Sequence, residues 1–214
     1  MSYDKASARR VLDTVKADAR TALTPTEARL LCEAYGIPMP REAIAASAAE
    51  AAKIAREVGF PVVMKVVSPD ILHKTEAGGV IVGVKTDAEA QQAYNTIINA
   101  AKKYKSDAKI DGVLVQAMLS GGQEVIVGAL TDPSFGKVVA FGLGGVLVEV
   151  LKDVTFRLAP ATEADALSML DGIAAAEILR GVRGAEPVNR SALTGIITAV
   201  SNLVTDFPEI RELD

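Results

Sequence analysis

The sequence predicts an α+β protein built as two lobes rather than as a doubly wound parallel sheet. Strand-like and helical segments alternate up to about residue 110, strand-like runs joined by short turns follow, and helical spacing returns over 162–206. Hydrophobic residues make up 50% of the chain but aromatic residues only 4%, so small branched side chains must build the core. Few strands have the spacing of a βαβ series, and we therefore expect two α+β lobes joined near 106–112.

Cap motifs mark the first helices. Thr24–Glu27 and Ser47–Glu50 each place a hydroxyl three residues before a carboxylate, the spacing of a reciprocal N-cap. Gly36 and Gly59 are expected to end the helices in the left-handed cap conformation. The helices predicted in this part of the chain lie near 4–20, over 25–35 and over 48–58.

The strands of the first lobe follow Gly59. Residues 60–67 form a short apolar run rich in Val, which predicts a buried strand, and Val80–Val84 predicts a second one. A helix is expected over 87–104, because apolar side chains recur there at helical spacing. That apolar stripe comprises Ala90, Ala93, Ile97, Ala101 and Tyr104.

The second lobe begins with strand-like runs. Val113–Met118 and Val125–Leu130 flank Ser120-Gly121-Gly122, which predicts a hairpin between them. A further strand over Val138–Phe141 follows the turn at Asp132-Pro133-Ser134. The expected division is a helical extension over 1–22, a first lobe over 23–110 and a second lobe over 111–214.

Charge and cysteine content exclude several classes of protein. With 23 basic and 27 acidic residues the net charge is −4, which argues against a general nucleic-acid binder. The longest apolar run, Val138–Val148, is short and contains three glycines, so no membrane span is expected. Cys32 is the only cysteine, which excludes an intrachain disulfide and indicates a reducing, cytoplasmic compartment.

Two candidate residues for chemistry lie within and just after the first strand-like run. Lys65 interrupts an apolar strand, so either it faces solvent on an edge strand or it projects into a cleft to meet an anion such as phosphate. His73, the only histidine, lies in the polar stretch Ser68–Gly79 that ends in Gly78-Gly79. A lone histidine is often structural, but imidazole can carry a phosphoryl group and glycine amides can hold an anion.

Weaker signals lie in the second half. Residues Val113–Met118 and Glu124 could grip an adenine and a ribose, or form an ordinary hairpin with a solvated glutamate. The glycines of Phe141–Gly145 lack the third spaced glycine and the following helix of a dinucleotide fingerprint. Glu149, Asp153 and Arg157 recur every four residues, as expected for a surface ladder on a helix or for charges that serve Mg²⁺ and phosphate.

These motifs, taken together, resemble those of one family. Tyr35-Gly36-Ile37-Pro38, Gly59–Lys65, Asp70–Lys74, Gly78-Gly79-Val80 and Phe141–Pro160 resemble, in the same order, the ATP-grasp domain of ADP-forming acyl-CoA synthetases. The resemblance runs from about Leu23 to Asp214. It implies the ATP-grasp fold, two α+β lobes with a nucleotide cleft between them. The implied reaction is acyl-CoA + ADP + phosphate ⇌ carboxylic acid + CoA + ATP.

The resemblance also implies residue roles, partners and cofactors. His73 would carry the phosphoryl group to ADP, Lys65 would contact nucleotide phosphates, and Arg157 would serve catalysis near them. The remaining binding residues implied are Gln116, Ala117 and Met118 for adenine, Glu124 for ribose, and Gly78 and Gly79 at the histidine segment. ATP or ADP with Mg²⁺ would be bound, and a CoA-binding subunit or domain would complete a hetero-oligomer, with neither nucleic acid nor membrane as a partner.

The C-terminal end departs from the family pattern. Family members continue past Glu-Leu-Asp with Ile-Asn-Pro, whose Asn is expected to hold Mg²⁺ together with the preceding Asp. The sequence ends at Asp214, so we expect either that the second lobe is truncated at its end or that its metal site is incomplete, and a final strand would also be missing.

Two other functions fit the same residues. A nucleotide-sensing module from a fused lysine acetyltransferase would need no phosphate carrier, and a ligase joining a carboxylate to an amine would use acyl phosphate without a histidine intermediate. The presence of His73 favours the synthetase.

Overall fold

The computed structural model describes residues 2–71, 73–145, 153–182 and 184–214. The chain forms two compact units, one comprising Met1–Arg9, Cys32–Ile37 and Gly121–Asp214 and the other Arg10–Leu31 and Pro38–Ser120. The described helices are α1 (Lys5–Ala17), α2 (Pro25–Ala34), α3 (Ala48–Val58), α4 (Asp87–Tyr104), α5 (Glu163–Gly172), α6 (Ala176–Leu179) and α7 (Arg190–Asp206). The described strands are β1 (Glu42–Ala45), β2 (Val62–Val67), β3 (Val80–Val84), β4 (Gly112–Ala117), β5 (Val125–Asp132), β6 (Gly136–Leu143), β7 (Val154–Leu158) and β8 (Glu212–Leu213).

The unit that includes Pro38–Ser120 is an antiparallel sheet covered by two helices on one face. Its strand order is β1-β4-β2-β3, so β2 lies in the interior of the sheet. Side chains of β2 that alternate along the strand, Val62, Met64 and Val66, are buried in one core with α3 and α4. Because side chains alternate between the faces of a strand, Lys65 lies on the opposite face.

The unit that includes Gly121–Asp214 contains a second antiparallel sheet, of order β7-β6-β5-β8. Val139, Phe141 and Leu143 of β6 are buried, and α5 and α7 contact this sheet. The short strand Glu212–Leu213 pairs with β5 through Ala129 and Leu130. The expectation that a further, final strand is missing stays a prediction.

The local predictions for helices are largely confirmed. Helices begin and end within a few residues of the expected positions, and Ser47 accepts a hydrogen bond from the amide of Glu50 at 3.2 Å. Gly36 has a φ of 70°, as expected for a left-handed cap, whereas Gly59 has φ 99° and ψ 123°, outside that conformation. Of the apolar stripe predicted in α4, Ala90, Ala93, Ile97 and Ala101 are buried, whereas Tyr104 lies in the last turn of the helix and is 53% exposed.

The hairpin predicted across Gly121-Gly122 is wrong. Both edges of β4 are taken by β1 and β2, while β5 pairs with β6 and β8, so the glycines connect two sheets. Consequently β4 clusters with residues 38–120 rather than with the segment expected to begin at 111. The division into 1–22, 23–110 and 111–214 stays a prediction. Among the described residues, every helix is too short or too polar to span a bilayer.

Candidate functional site

Lys65 and Gln116 are brought together on the face of the first sheet that lies opposite α3 and α4. The Lys65 ammonium donates a hydrogen bond to Gln116 Oε1 at 2.9 Å. The two side chains share a face because Lys65 pairs with Leu114 and Val63 pairs with Gln116. Since β2 has a neighbour on each side, the edge-strand explanation of Lys65 is wrong.

Glu42, which no sequence motif singles out, completes this polar group. Gln116 Nε2 donates to Glu42 Oε2 at 2.5 Å, and the Glu42 side chain is only 5% exposed. Arg29 lies behind it, donating to the Glu42 carbonyl at 2.9 Å with its guanidinium 3.9 Å from Glu42 Oε1. The sequence showed only a glutamate in a short strand. Its contact with Gln116 depends on the pairing of two strands 74 residues apart in sequence, which no local pattern predicts.

The strand end predicted to hold adenine already uses two of its amides in the sheet. The amide of Ala117 donates to the Arg41 carbonyl at 2.9 Å, and that of Met118 donates to the Pro61 carbonyl at 3.2 Å. These bonds fix the backbone at the end of β4. Adenine recognition by Gln116, Ala117 and Met118 stays a prediction, and it must use groups other than these two amides.

His73 is exposed and lies in a segment whose two ends, at Ile71 and Ala77, are buried. Ile71 before it and Ala77 after it are buried in the core formed with α4. Asp70 accepts a hydrogen bond from the Lys109 amide at 2.7 Å, and its carboxylate lies 3.6 Å from the Lys105 ammonium. The Lys109 amide, followed by the Lys105 charge, holds the pKa of Asp70 below its ordinary value.

The glycines after His73 serve the packing of this segment. The amides of Ala77, Gly78 and Gly79 donate to the carbonyls of His73, Thr75 and Lys74, so all three amides are satisfied within the turn. A Cβ on Gly79 would lie 2.5 Å from Val66 Cγ1, which explains the absence of a side chain there. An anion-binding role for Gly78 and Gly79 stays a prediction and requires this turn to open.

Glu124 lies against a glycine turn in the other unit. Its carbonyl accepts from the amide of Gly144 at 2.8 Å. A Cβ on Gly145, whose φ is 64°, would lie 2.5 Å from Glu124 Oε2. The glycines of this turn therefore allow the backbone to approach an exposed carboxylate. The ribose-binding role of Glu124 stays a prediction.

Asp153 and Arg157 do not form one ladder. Asp153 accepts hydrogen bonds from the amides of Ala174 and Ala175 at 2.7 and 2.8 Å, which places it at the start of α6. Arg157 is in β7, where it donates to the Ser168 hydroxyl of α5 at 2.8 Å and to the Phe156 carbonyl at 2.7 Å. The catalytic role of Arg157 stays a prediction that needs it to leave these partners. Glu149 lies outside the described residues.

A metal-binding role for Asp214 stays a prediction. Within the described ranges, no three His, Cys, Asp or Glu side chains cluster closely enough to hold a metal ion. Asp214 lies beside β5, with its Cα 3.8 Å from where a Cβ on Gly128 would be. A single carboxylate fits Mg²⁺ only as one of its ligands, since Mg²⁺ at nucleotide sites is held by one or two carboxylates plus phosphates and water.

The predicted residues are thus divided between the two units. Lys65, His73, Gly78, Gly79, Gln116, Ala117 and Met118 belong to one, and Glu124, Arg157 and Asp214 to the other. In the first unit, the Lys65 ammonium, hydrogen-bonded to Gln116, is chemically suited to bind phosphate. The exposed imidazole of His73 is chemically suited to phosphoryl transfer.

Comparison with known proteins defines the class. A family model described as ATP-grasp domain matches residues 14–214. The chain is 49% identical over 209 residues to subunit beta of acetate–CoA ligase [ADP-forming] I of Pyrococcus furiosus, covering 98% of this chain and 90% of that protein. It is 46% identical to 4-hydroxybutyrate–CoA ligase [ADP-forming] of Nitrosopumilus maritimus, covering 99% of this chain and 30% of that protein. The chain belongs to the ATP-grasp family, within the group of ADP-forming acyl-CoA ligases.

Solved structures agree with the fold. An acetyl-coenzyme A synthetase 1 of Ca. Korarchaeum cryptofilum, in complex with coenzyme A, Ca-AMPCP and HgCl⁺, aligns with a TM-score of 0.92 and 42% identity, covering 96% of this chain and 90% of that one. Another structure of that synthetase contains coenzyme A and Mg-AMPPCP with its phosphohistidine segment pointing towards the nucleotide binding site. It aligns with a TM-score of 0.84 and 39% identity, covering 96% of this chain and 89% of that one. The predicted α+β, ATP-grasp fold is confirmed.

Proposed function

We propose that this chain is the nucleotide-binding subunit or domain of an ADP-forming acyl-CoA synthetase and that His73 carries a phosphoryl group to or from ADP. The observation that carries the proposal is the exposed imidazole on a segment held at Ile71 and Ala77. A segment anchored at both ends can present its middle to a ligand without unfolding its unit. The phosphohistidine segment named for the Korarchaeum synthetase supports the same role.

The phosphoryl transfer balances in three steps. A histidine of the CoA-binding partner attacks the phosphorus of the acyl phosphate, a P–N bond forms, and the carboxylate leaves with the electrons of the broken P–O bond. A ring nitrogen of His73 attacks the same phosphorus, a new P–N bond forms, and the partner's imidazole leaves with the electrons of the broken P–N bond. A terminal oxygen of ADP then attacks the phosphohistidine, which forms ATP and returns the imidazole. Each transfer is a short in-line step that relies on positioning rather than on covalent help from carboxylates.

In this proposal, the polar group on the first sheet receives the phosphates. Lys65 is held by Gln116 Oε1 and keeps its positive charge towards the nucleotide. Glu124 would accept hydrogen bonds from the ribose hydroxyls. Mg²⁺, held by the phosphates, water and Asp214, would neutralise charge on the transferred group.

The proposal requires a partner that binds CoA. The thioester is formed or cleaved where CoA and the acyl group meet, and the relative of Nitrosopumilus contains about 70% of sequence beyond the matched part. We assign this role to a separate CoA-binding subunit or a fused domain, which makes the active protein a hetero-oligomer or a longer chain. Because ADP and CoA are cytoplasmic metabolites, the reaction is assigned to the cytoplasm.

Labelling with γ-labelled ATP and Mg²⁺ tests the role of His73. We expect one phosphate per chain, labile to acid and stable to base, because phosphohistidine has a reactive P–N bond. His73→Ala should abolish the label, and Thr75→Ala, an exposed neighbour on the same segment, should keep it. Equal acid-labile label in wild type and His73→Ala would eliminate the proposed relay.

A further inference from the structure

A row of three polar side chains crosses the first sheet and ends at Lys65. Glu42 of β1 pairs with Gln116 of β4, and Val63, two residues before Lys65, pairs with Gln116 from the other side. The three side chains therefore share one face. The hydrogen bonds run in order from Lys65 Nζ to Gln116 Oε1 at 2.9 Å and from Gln116 Nε2 to Glu42 Oε2 at 2.5 Å.

The carboxylate of Glu42 determines which way the Gln116 amide points. A carboxylate only accepts hydrogen bonds, so the NH₂ end of the Gln116 amide must face it. The carbonyl oxygen of the same amide must then face Lys65, whose ammonium only donates. Reversal of the amide would place an NH₂ group against an ammonium and a carbonyl against a carboxylate. The orientation is therefore fixed from both ends.

The same row separates the negative charge from the ammonium. Among the described residues, Lys65 is held by a neutral amide oxygen and not by a carboxylate, and the negative charge of Glu42 lies one side chain further away with Arg29 behind it. A carboxylate in contact with Lys65 would compete with phosphate for its charge. The amide holds the ammonium in place and leaves its charge available to an anion.

We propose that Glu42 is a positioning residue for nucleotide binding: acting through Gln116, it holds Lys65 towards the phosphates of a nucleoside diphosphate without neutralising it. This inference rests on the proposed function, since it assigns the phosphate contact to Lys65. The proposal also gives a reason for the burial of the Glu42 carboxylate. A buried charge contributes little to stability compared with an apolar residue at the same position.

The first test compares ADP with adenosine, because only ADP presents phosphates to Lys65. Calorimetric titration of the whole chain with each ligand should show a Kd for ADP that rises roughly ten-fold to hundred-fold in Glu42→Gln, the range for a hydrogen bond to a charged group. The Kd for adenosine should stay within about three-fold of wild type. Glu57→Gln, a matched change at an exposed glutamate that pairs with Lys53 in α3, should leave both constants unchanged.

A charge-swapped double variant separates positioning from structure. Glu42→Gln with Gln116→Glu retains the net charge and remakes the amide–carboxylate hydrogen bond, but it brings the carboxylate against Lys65. We expect its melting temperature to return towards wild type while its affinity for ADP stays at least about ten-fold weakened. A merely structural role for Glu42 predicts that both properties recover together.

The outcomes are distinguishable from failure of the proposed function. If wild type binds no ADP, the proposed function fails and the inference fails with it. If wild type binds ADP and the folded Glu42→Gln variant binds it equally well, only the inference is overturned. If Glu42→Gln does not fold, the double variant decides, and wild-type affinity for ADP in that variant overturns the inference.

Discussion

Glu27 takes part both in the N-cap of α2 and in an ion pair with Arg20. Its carboxylate accepts from the Thr24 amide at 2.7 Å as part of the helix cap and also binds the Arg20 guanidinium at 2.5 Å. The hydrogen bond from Arg20, followed by those from Thr24, lowers the pKa of Glu27 from 4.5 to about 2 against the opposing effect of burial. The cap was predictable from the spacing of Thr24 and Glu27, whereas Arg20 lies outside the motif.

This lowered pKa predicts a loss of stability in acid. The folded state binds a proton at Glu27 less readily than the unfolded state, so the contribution is fully present above about pH 5 and is lost as the pH falls towards 2. Urea unfolding of wild type and Glu27→Gln should differ by on the order of 1–2 kcal/mol at pH 6, after allowance for solvent screening, and converge near pH 2. Glu57→Gln serves as the control. A difference that persists unchanged at pH 2 would contradict the assignment.

The elements differ in how far sequence determines them. The helix at Asp87–Tyr104 was predictable because its apolar stripe recurs locally at helical spacing. The pairing of β4 was not, since the residues that occupy its edges lie at 42–45 and 62–67 and no turn motif records them. The two glycines at 121 and 122, both with positive φ, have the composition of a hairpin but connect two sheets. The contact between Glu42 and Gln116 was unpredictable for the same reason.

The segment around His73 supplies a prediction about packing. An alanine at position 79 would place its Cβ 2.5 Å from Val66 Cγ1 and 3.0 Å from the Lys74 carbonyl, so the turn or β2 must shift. We expect Gly79→Ala to lower the free energy of unfolding by about 1–3 kcal/mol and to speed hydrogen exchange at the amides of 77–79. Chemical denaturation and exchange mass spectrometry measure these effects.

The matched control for this change is Gly195→Ala in α7. Apart from its chain neighbours and the nearby backbone of α7 itself, no described atom lies within 4 Å of a Cβ at position 195. Alanine there should therefore raise stability by about 0.5–1 kcal/mol through its better helix propensity. Both variants make the same chemical change and are expected to have opposite signs. If Gly79→Ala is as stable as wild type and its amides at 77–79 exchange hydrogen no faster, then close packing at Gly79 does not fix the segment around His73.

At the scale of the whole molecule, order along the chain did not predict the units. One unit draws on Met1–Arg9 and Cys32–Ile37 as well as on Gly121–Asp214, because Tyr35 stacks on Tyr3 and donates to Asp206 at 2.8 Å. The hydrogen bond from Tyr35 to Asp206 joins residues 171 positions apart, and no spacing motif in the sequence predicts it. The family was recognisable nevertheless, because its glycine and histidine motifs are each continuous.

Complementation tests the division of labour that the proposed function assigns to the whole molecule. In the proposed function this chain binds ADP and contributes His73, whereas the acyl phosphate forms on the CoA-binding subunit. Neither this chain nor that subunit should therefore make ATP alone. With acetyl-CoA, ADP, phosphate and Mg²⁺, we expect ATP only when this chain is mixed with the CoA-binding subunit of a related ADP-forming ligase. A luminescent ATP assay would detect at least about a hundred-fold rise over either protein alone, the scale expected when positioning is supplied by assembly.

His73→Ala in the same mixture should remain at background. Equal ATP formation with His73→Ala would show that the phosphoryl group reaches ADP without this imidazole, and formation by the chain alone would remove the need for a partner.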